Sequence, residues 1–327
     1  RFDIGAAMAL VPSLPLAPQT RDALASFRPR GRLANFDISY QAPKPHGPGN
    51  WRDLPGIRQL PPERERYRVV ADFEDLGVDS APSEHPPANP GSPNAGRPGF
   101  ANLSGHIDAD QSRGSLTLNA KHAALDFPGR FDQPRIDLDT LTARTSWRVS
   151  HSATQRDAPA DVAVRVDALH LQNAELTGDV TGTWRNGGKG NGIVDLKGNI
   201  VRASACAVPR YLPTDIGASV RDYLQRALLA GTVQNAPFAV QGDLDNFPYG
   251  KGGGKFRIDI PLVDVAFNPS PVRPGHTEVW PAFDKVRGNL RFDADKLHIA
   301  IDSGTVFGVT LTQVVGDIND IGQDDSV

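Results

Sequence analysis

The sequence predicts an all-β chain, mostly antiparallel, with one or two short helices. Three observations carry that reading. Gly and Pro are plentiful, 32 and 28 among 327 residues, which cuts a chain into strands and turns. Apolar residues recur at period two along most of the length, the spacing of a strand with one buried face. Long apolar patterns at helical spacing are nearly missing.

The recurring unit is apolar-x-Gly-x-apolar. It reads LSGHI at 103–107, LTGDV at 176–180, LKGNI at 196–200, VQGDL at 240–244, VRGNL at 286–290 and VVGDI at 314–318, with a looser PRGRL at 29–33. In the fifth copy Val286, Gly288, Leu290 and Phe292 point to one side, and Arg287, Asn289, Arg291 and Asp293 to the other. After a polar turn at 293–296, Leu297, Ile299 and Ile301 resume the alternation. This is a hairpin with one apolar and one polar face. Each Gly falls on the apolar face between two apolar neighbours, where a missing side chain suits a bulge, a curl or a close approach. The glycines at 31, 105, 178, 198, 242, 288 and 316 are unevenly spaced, so the repeat is one of hairpin grammar and not of fixed length.

Helix signals are few. Near 219–230 the sequence predicts one helix, with Ser219 as N-cap, Asp222 completing a capping box, and Val220, Tyr223, Leu224, Ala227 and Leu228 as an apolar stripe ending at Gly231. A weaker helix is predicted near 20–27. The Pro/Gly-rich stretch at 80–99 reads as a disordered loop between a β section at 1–79 and another at 100–327. Stretches 41–50 and 268–276 read as further loops. In the strand after 254, Phe256, Ile258 and Ile260 are even-numbered but Val263 and Val265 are odd. Pro261 cannot donate to a ladder, so a kink is predicted there.

Composition excludes several classes. A formal net charge of −3 gives no reason to expect nucleic acid. One Cys, Cys206, allows no internal disulfide. The longest apolar stretch, at 6–16, is too short and too interrupted by Pro to span a bilayer. The chain starts at Arg1 without Met and stops in DDSV, and reads as a section of a longer protein whose anchor or export signal lies elsewhere. GKGGGK at 250–255 is followed by Phe and a strand pattern, so it is a hairpin turn and not a phosphate loop. The eight His residues show no ligand spacing and have no Cys partners. No nucleophile–base–acid order suggests itself, so no enzyme activity, metal or cofactor is expected. Arg28, Arg30 and Arg32, and Arg64, Arg66 and Arg68, form basic strips suited to a solvated face or to lipid phosphates.

A one-sided apolar sheet has to pack on something. The candidate functional row is Leu116, Leu118, Val162, Val164, Val166, Val194, Leu196, Phe238, Val240, Leu244, Phe256, Ile258, Ile260, Val263, Val265, Leu290, Phe292, Leu297, Ile299 and Ile301. A second sheet or a solenoid would cover it, giving a structural or adhesive domain with a dry core. An open trough would instead leave it for an apolar ligand. Burying a lipid tail gains about 0.8 kcal/mol per CH₂, so a sixteen-carbon chain gains on the order of 12 kcal/mol. A continuous trough lets a tail slide without that cost and without any catalytic group. Periodicity alone does not choose between these answers.

The region from 211 onward resembles the YhdP family of AsmA-like, bridge-type lipid transporters. The matching positions are Tyr211, Leu212, Pro213, Asp222, Tyr223, Leu224, Gly242, Phe247, Pro248, Phe256, Pro261, Trp280 and Pro281. Upstream, GSLTLNAKHAALDFPGRFDQP at 114–134, Leu141-x-Ala143, Trp147 and PRGRLANFDISY at 29–40 also look like the family. The resemblance implies a long curled sheet forming an open U-shaped β-groove in the periplasm of a Gram-negative envelope. It further implies phospholipid acyl chains as the ligand, the inner membrane as a partner through an anchor outside this section, and the outer membrane or its proteins at the far end.

Overall fold

The computed structural model describes residues 2–9, 11, 25–41, 66–83, 94–150, 160–187, 190–214, 216–271 and 280–320. Its strands are β1 (Phe2–Asp3), β2 (Arg30–Gln41), β3 (Arg66–Val78), β4 (Gly99–Asp110), β5 (Arg113–Asp126), β6 (Arg135–Ser150) and β7 (Asp161–Gln172). They continue as β8 (Leu176–Arg185), β9 (Ile193–Ser204), β10 (Leu228–Asp243), β11 (Gly254–Phe267), β12 (Phe283–Asp293), β13 (Lys296–Val306) and β14 (Val309–Ile318). All belong to one 14-stranded sheet in strict chain order, so each strand hydrogen-bonds only to its neighbours in sequence. Every pairing is antiparallel, and β14 does not close onto β1. The result is an open sheet, U-shaped in section. The strands run from one rim to the other, and the hydrogen-bonding direction runs along the trough.

The bend is written into the strands as bulges. Register shifts interrupt the pairing of β2 with β3, β3 with β4, β4 with β5, β10 with β11 and β11 with β12. At or beside these shifts sit residues with left-handed backbone: Asn35, Asp75, Asn102, Asn235, Asp264 and Lys285. A bulge sets two residues against one and bends its strand, so bulges repeated on successive strands curl the whole sheet.

Half of the buried apolar residues are Ala, with Phe73, Leu103, Leu138, Leu141, Val194, Val233, Val265 and Val286 among the larger ones. No large side chain among the described residues is fully buried, and no polar or charged residue is buried. A sandwich core would enclose several large side chains completely. Here one layer of side chains packs sideways on its own sheet.

Helices are short. The first, α1 (Ile4–Met8), starts at Asp3, whose side chain accepts from the Ala6 N–H. A 3₁₀ helix (Ala205–Tyr211) and α2 (Ala218–Ala227) occupy the β9–β10 connection. The predicted cap of α2 is corrected: Gly217 is the N-cap, without a side-chain hydrogen bond, and Ser219 lies inside the helix. Asp222 pairs with Arg226 one turn on instead of capping. Leu228 already begins β10, and Gly231 sits within that strand at φ 107°, where a Cβ would run into Val265. Of the predicted helix at 20–27, residues 25–27 form a helical turn and 20–24 lie outside the described residues. Residues 42–50, 84–93 and 272–276 of the predicted loops also lie outside them, as does Arg64; at the ends of the 80–99 loop Ala81 bridges Arg97 and Gly99 already opens β4. No helix among the described residues is long and apolar enough to cross a membrane.

Candidate functional site: an apolar rail along an open trough

Cross-strand partners in a sheet share a face, so the registers can be followed strand by strand. Phe2 pairs with Leu33, Leu33 with Phe73, Phe73 with Gly105, Gly105 with Leu118 and Leu118 with Ala143. Ala143 pairs with Leu169, Leu169 with Val180, Val180 with Gly198 and Gly198 with Phe238. Phe238 pairs with Ile258, Ile258 with Phe292, Phe292 with Leu297 and Leu297 with Ile318. One unbroken row of apolar residues and glycines thus crosses all 14 strands. Thirteen steps of about 4.8 Å make it about 60 Å long.

Parallel rows flank it. On one side run Ile107, Leu116, Thr145, Val166, Gly182, Leu196, Val240 and Phe256. Beyond these, Trp147, Val164, Trp184, Val194 and Gly242 are joined in series, and Val162 faces Val149. On the other side Ile260, Leu290, Ile299 and Gly316 form one file, and Val233, Leu262, Gly288, Ile301 and Val314 another. Val265 pairs with Val286 on the same face.

The structure therefore brings eighteen of the twenty predicted row residues onto one face. Two are corrected. Val263 pairs with Thr232, one position out of step with the Leu262–Val233 pair, and so lies on the polar face. The even phase runs on through Pro261 to Leu262, and the slip comes at Asp264, a left-handed residue beside the bulge. Leu244 falls in a 3₁₀ turn (Leu244–Asn246) beyond the end of β10. Sequence reasoning missed Phe73, Leu103, Leu138, Leu141, Leu169, Val180, Val233 and Leu262; Leu169 and Val233 lie beyond register shifts that break the alternation of their strands.

The motif glycines at 31, 105, 198, 242 and 288 answer to close approach, whereas Gly178 and Gly316 do not. A Cβ at Gly105 would press on the Thr117 carbonyl and lie 3.1 Å from the Phe73 ring. At Gly198 it would overlap the Phe238 ring and sit 2.5 Å from the Asp179 carbonyl oxygen. Gly114 lies under Trp147, and Gly242 and Gly254 lie under Tyr249. The rings rest on glycines of the same or the adjoining hairpin and so lie along the sheet.

The opposite face is a lattice of ion pairs. His106 meets Asp72 at 2.7 Å, His170 meets Asp179 at 2.8 Å, and His298 meets Asp317 at 2.7 Å. Arg287 pairs with Asp264 at 2.9 Å, and Asp259 takes both Arg257 and Arg291. Hydrogen bonds from these arginines hold the Asp264 and Asp259 carboxyls below the usual carboxylate range. Three arginines of the basic strips are likewise paired: Arg30 with Asp79, Arg32 with Asp75 and Arg68 with Asp108. Such exposed pairs contribute little stability each; their effect is to keep this face wet.

One rim carries a strap, residues 205–214 and 216–227, between β9 and β10. Tyr211 donates to Glu175 at 2.8 Å, and Arg210 bonds both Glu175 oxygens, at the β7–β8 turn. The Thr214 N–H donates to the Arg130 carbonyl, and Arg221 clamps Asp132, at the β5–β6 turn. Tyr223 packs edge-on against Phe267 and donates to the Pro269 carbonyl past β11. Burial raises the pKa of both tyrosines. Ala205 packs with Val265 and Val286 on the apolar face, so the strap shelters that face along its rim. Among the described residues no group of three or more His, Cys, Asp or Glu could hold a metal ion.

Fold and site define a class: a single-sheet β-trough whose described wall is apolar from end to end and which, among the described residues, has no second sheet over it. A family profile described as YhdP protein matches residues 1–327, and the chain belongs to the YhdP family. It is 25% identical over 226 residues to the Intermembrane phospholipid transporter YhdP of Escherichia coli (strain K12), an alignment covering 67% of this chain and 16% of that protein. The chain thus spans less than a fifth of the length of that relative. No solved structure matches it.

Proposed function

We propose that this chain is a section of a hydrophobic groove that spans the periplasm and carries phospholipid between the inner and outer membranes. Acyl chains slide along the rail and no bond is made or broken. The observation that carries this reading is the row from Phe2 to Ile318, which crosses every strand without a charged residue. A tail on such a wall exchanges one apolar neighbour for the next and never re-enters water, so the roughly 12 kcal/mol of its desolvation is not lost at any step. The relative's name, an intermembrane phospholipid transporter, supports the same ligand and the same pair of membranes.

A structural or adhesive sandwich would need a second sheet packed about 10 Å away, and all described strands belong to one. Native mass spectrometry of the purified chain tests the proposal. Co-purified phospholipid is expected, and photo-crosslinkers at Leu118, Val180 and Ile258 should capture it. A chain that never carries lipid at any of these positions would remove the basis of the reading.

A further inference from the structure

Two glycines stand on the rail, each paired with a phenylalanine: Gly105 with Phe73, and Gly198 with Phe238. A Cβ at Gly105 would lie 3.1 Å from the Phe73 ring, and one at Gly198 would overlap the Phe238 ring. Each ring therefore reclines toward its glycine and fills the place of the missing side chain. We infer that these seats are clearance devices. They hold two rings out of the path of the acyl tails, so that the Phe73–Gly105 and Gly198–Phe238 pairs decide whether a tail passes. This rests on the conduit reading above.

Burial supports it. Phe73 is only 4% exposed, although no second sheet among the described residues lies over its face. A phenyl group standing up from an open face would be wet on both sides. Phe73 instead packs with Leu33, Leu103, Ile107 and Leu118, the burial of a ring that lies level with its neighbours. Phe238 is hemmed in within the sheet. Ala236 and Val240 flank it along β10, and Ile258 faces it from β11. A ring turned off Gly198 has the trough to turn into.

Between the two pairs the rail carries Leu118, Ala143, Leu169 and Val180, none larger than leucine. The track thus keeps to the height of aliphatic side chains from Leu33 to Ile258. The level stretch ends at Phe292, which has no glycine in its row and pairs with Ile258 and Leu297. A ring raised in mid-track would lift a tail off the wall over about two methylenes, which slows passage on the order of tenfold. Trp147 shows the same seat away from the rail. It pairs with Gly114, two files from Leu118, and the three atoms nearest to a Cβ at Gly114 all belong to its indole.

Vesicle-to-vesicle transfer of dioleoyl phosphatidylethanolamine by the purified chain tests this. Gly198→Ala should slow transfer about tenfold, and adding Phe238→Leu to it should return the rate to within about twofold of the parent. The Asp179 carbonyl oxygen, 2.5 Å from the Cβ position, stays in place in the double variant. Its thermal midpoint should therefore remain lowered while transfer recovers, a split that a packing role alone would not give. Phe238→Trp leaves Gly198 intact and overfills the seat. It should slow transfer too, and it carries the test should Gly198→Ala fail to fold. Gly114→Ala displaces an indole off the rail and should leave transfer within about twofold of the parent. A double variant as slow as Gly198→Ala, Gly114→Ala as slow as Gly198→Ala, or Phe238→Trp as fast as the parent would each overturn the inference and leave the conduit standing. No transfer by the parent would sink the two together.

Discussion

The Phe238 ring lies over Gly198 of the neighbouring strand, in the space where any Cβ at that position would fall. The recurring glycine is thus a recess. It admits a ring from the next strand and lets the Asp179 carbonyl oxygen approach to 2.5 Å of the Cβ position. Gly316 occupies the same place in its motif, but nothing lies within 4 Å of it, because it sits on the edge strand β14. Gly198→Ala should therefore destabilise by about 1–3 kcal/mol, as overpacked sites do. Gly316→Ala should be neutral, or stabilising by up to about 1 kcal/mol through a less flexible unfolded chain. Denaturant midpoints of the two variants decide it; equal effects would mean that the motif, and not the recess, sets the requirement.

A charge in the middle of the rail should stop transfer more than it harms folding. Ile258 stands half-buried between Phe238 and Phe292, open on the trough side. An Asp there stays hydrated in the trough and puts a desolvation barrier in the path of a tail. Ala239, one position out of phase in β10, pairs with Lys197 and Arg257 on the polar face. Vesicle-to-vesicle transfer should fall at least tenfold in Ile258→Asp, or in Ile299→Asp, and hold in Ala239→Asp, with far-UV circular dichroism retained in all three. Equal transfer in Ile258→Asp and Ala239→Asp would remove the rail from the mechanism.

The strap should loosen in acid. Arg221 hydrogen-bonds the Asp132 carboxylate and lowers its pKa below the ordinary value. A carboxylate with a depressed folded pKa adds stability that is fully present above its unfolded pKa of about 3.9. That stability is lost as the pH falls through the lower, folded value. Asp259 and Asp264 shift the same way through Arg291 and Arg287, so the polar face weakens over the same range. Asp132→Asn separates the strap from the face. Amide exchange over residues 216–223 should rise below about pH 4 in the parent, and should already be raised at neutral pH in the variant. Unchanged exchange in Asp132→Asn would show that the strap is held by its backbone contacts alone.

The sheet was legible because its information is local. Period two in VRGNLRFD places Val286, Gly288, Leu290 and Phe292 on one face, and short polar turns force neighbouring strands to pair in chain order. The strap was not legible, because what fixes it is scattered: Arg221 meets Asp132 across 89 positions and Tyr223 reaches Pro269 across 46. No window of sequence contains both halves of such a contact. The capping pattern at Ser219 and Asp222 misled for a related reason. The chain enters α2 from the strap with Gly217 already in the cap position, and Asp222 finds Arg226 instead.

Val263 and Leu262 give the sharpest test of phase. Both are apolar and neither is fully exposed, so sequence alone cannot say which one faces the trough. A kink at Pro261 would put Val263 inward. The register instead carries the even phase through Pro261, which pairs with Asn289, to Leu262, which faces Val233 and Gly288. The slip follows at Asp264, whose left-handed backbone and pairing with Arg287 hold the bulge in place. Leu262 also bridges the cluster around Val233 and the cluster around Val265. Leu262→Asp should cost about 2–5 kcal/mol, since it removes a core side chain and sets a charge among apolar neighbours. Val263→Asp, beside Thr232 on the polar face, should cost under about 1 kcal/mol. Thermal midpoints in the reverse order would restore the kink at Pro261 and turn this part of the wall over.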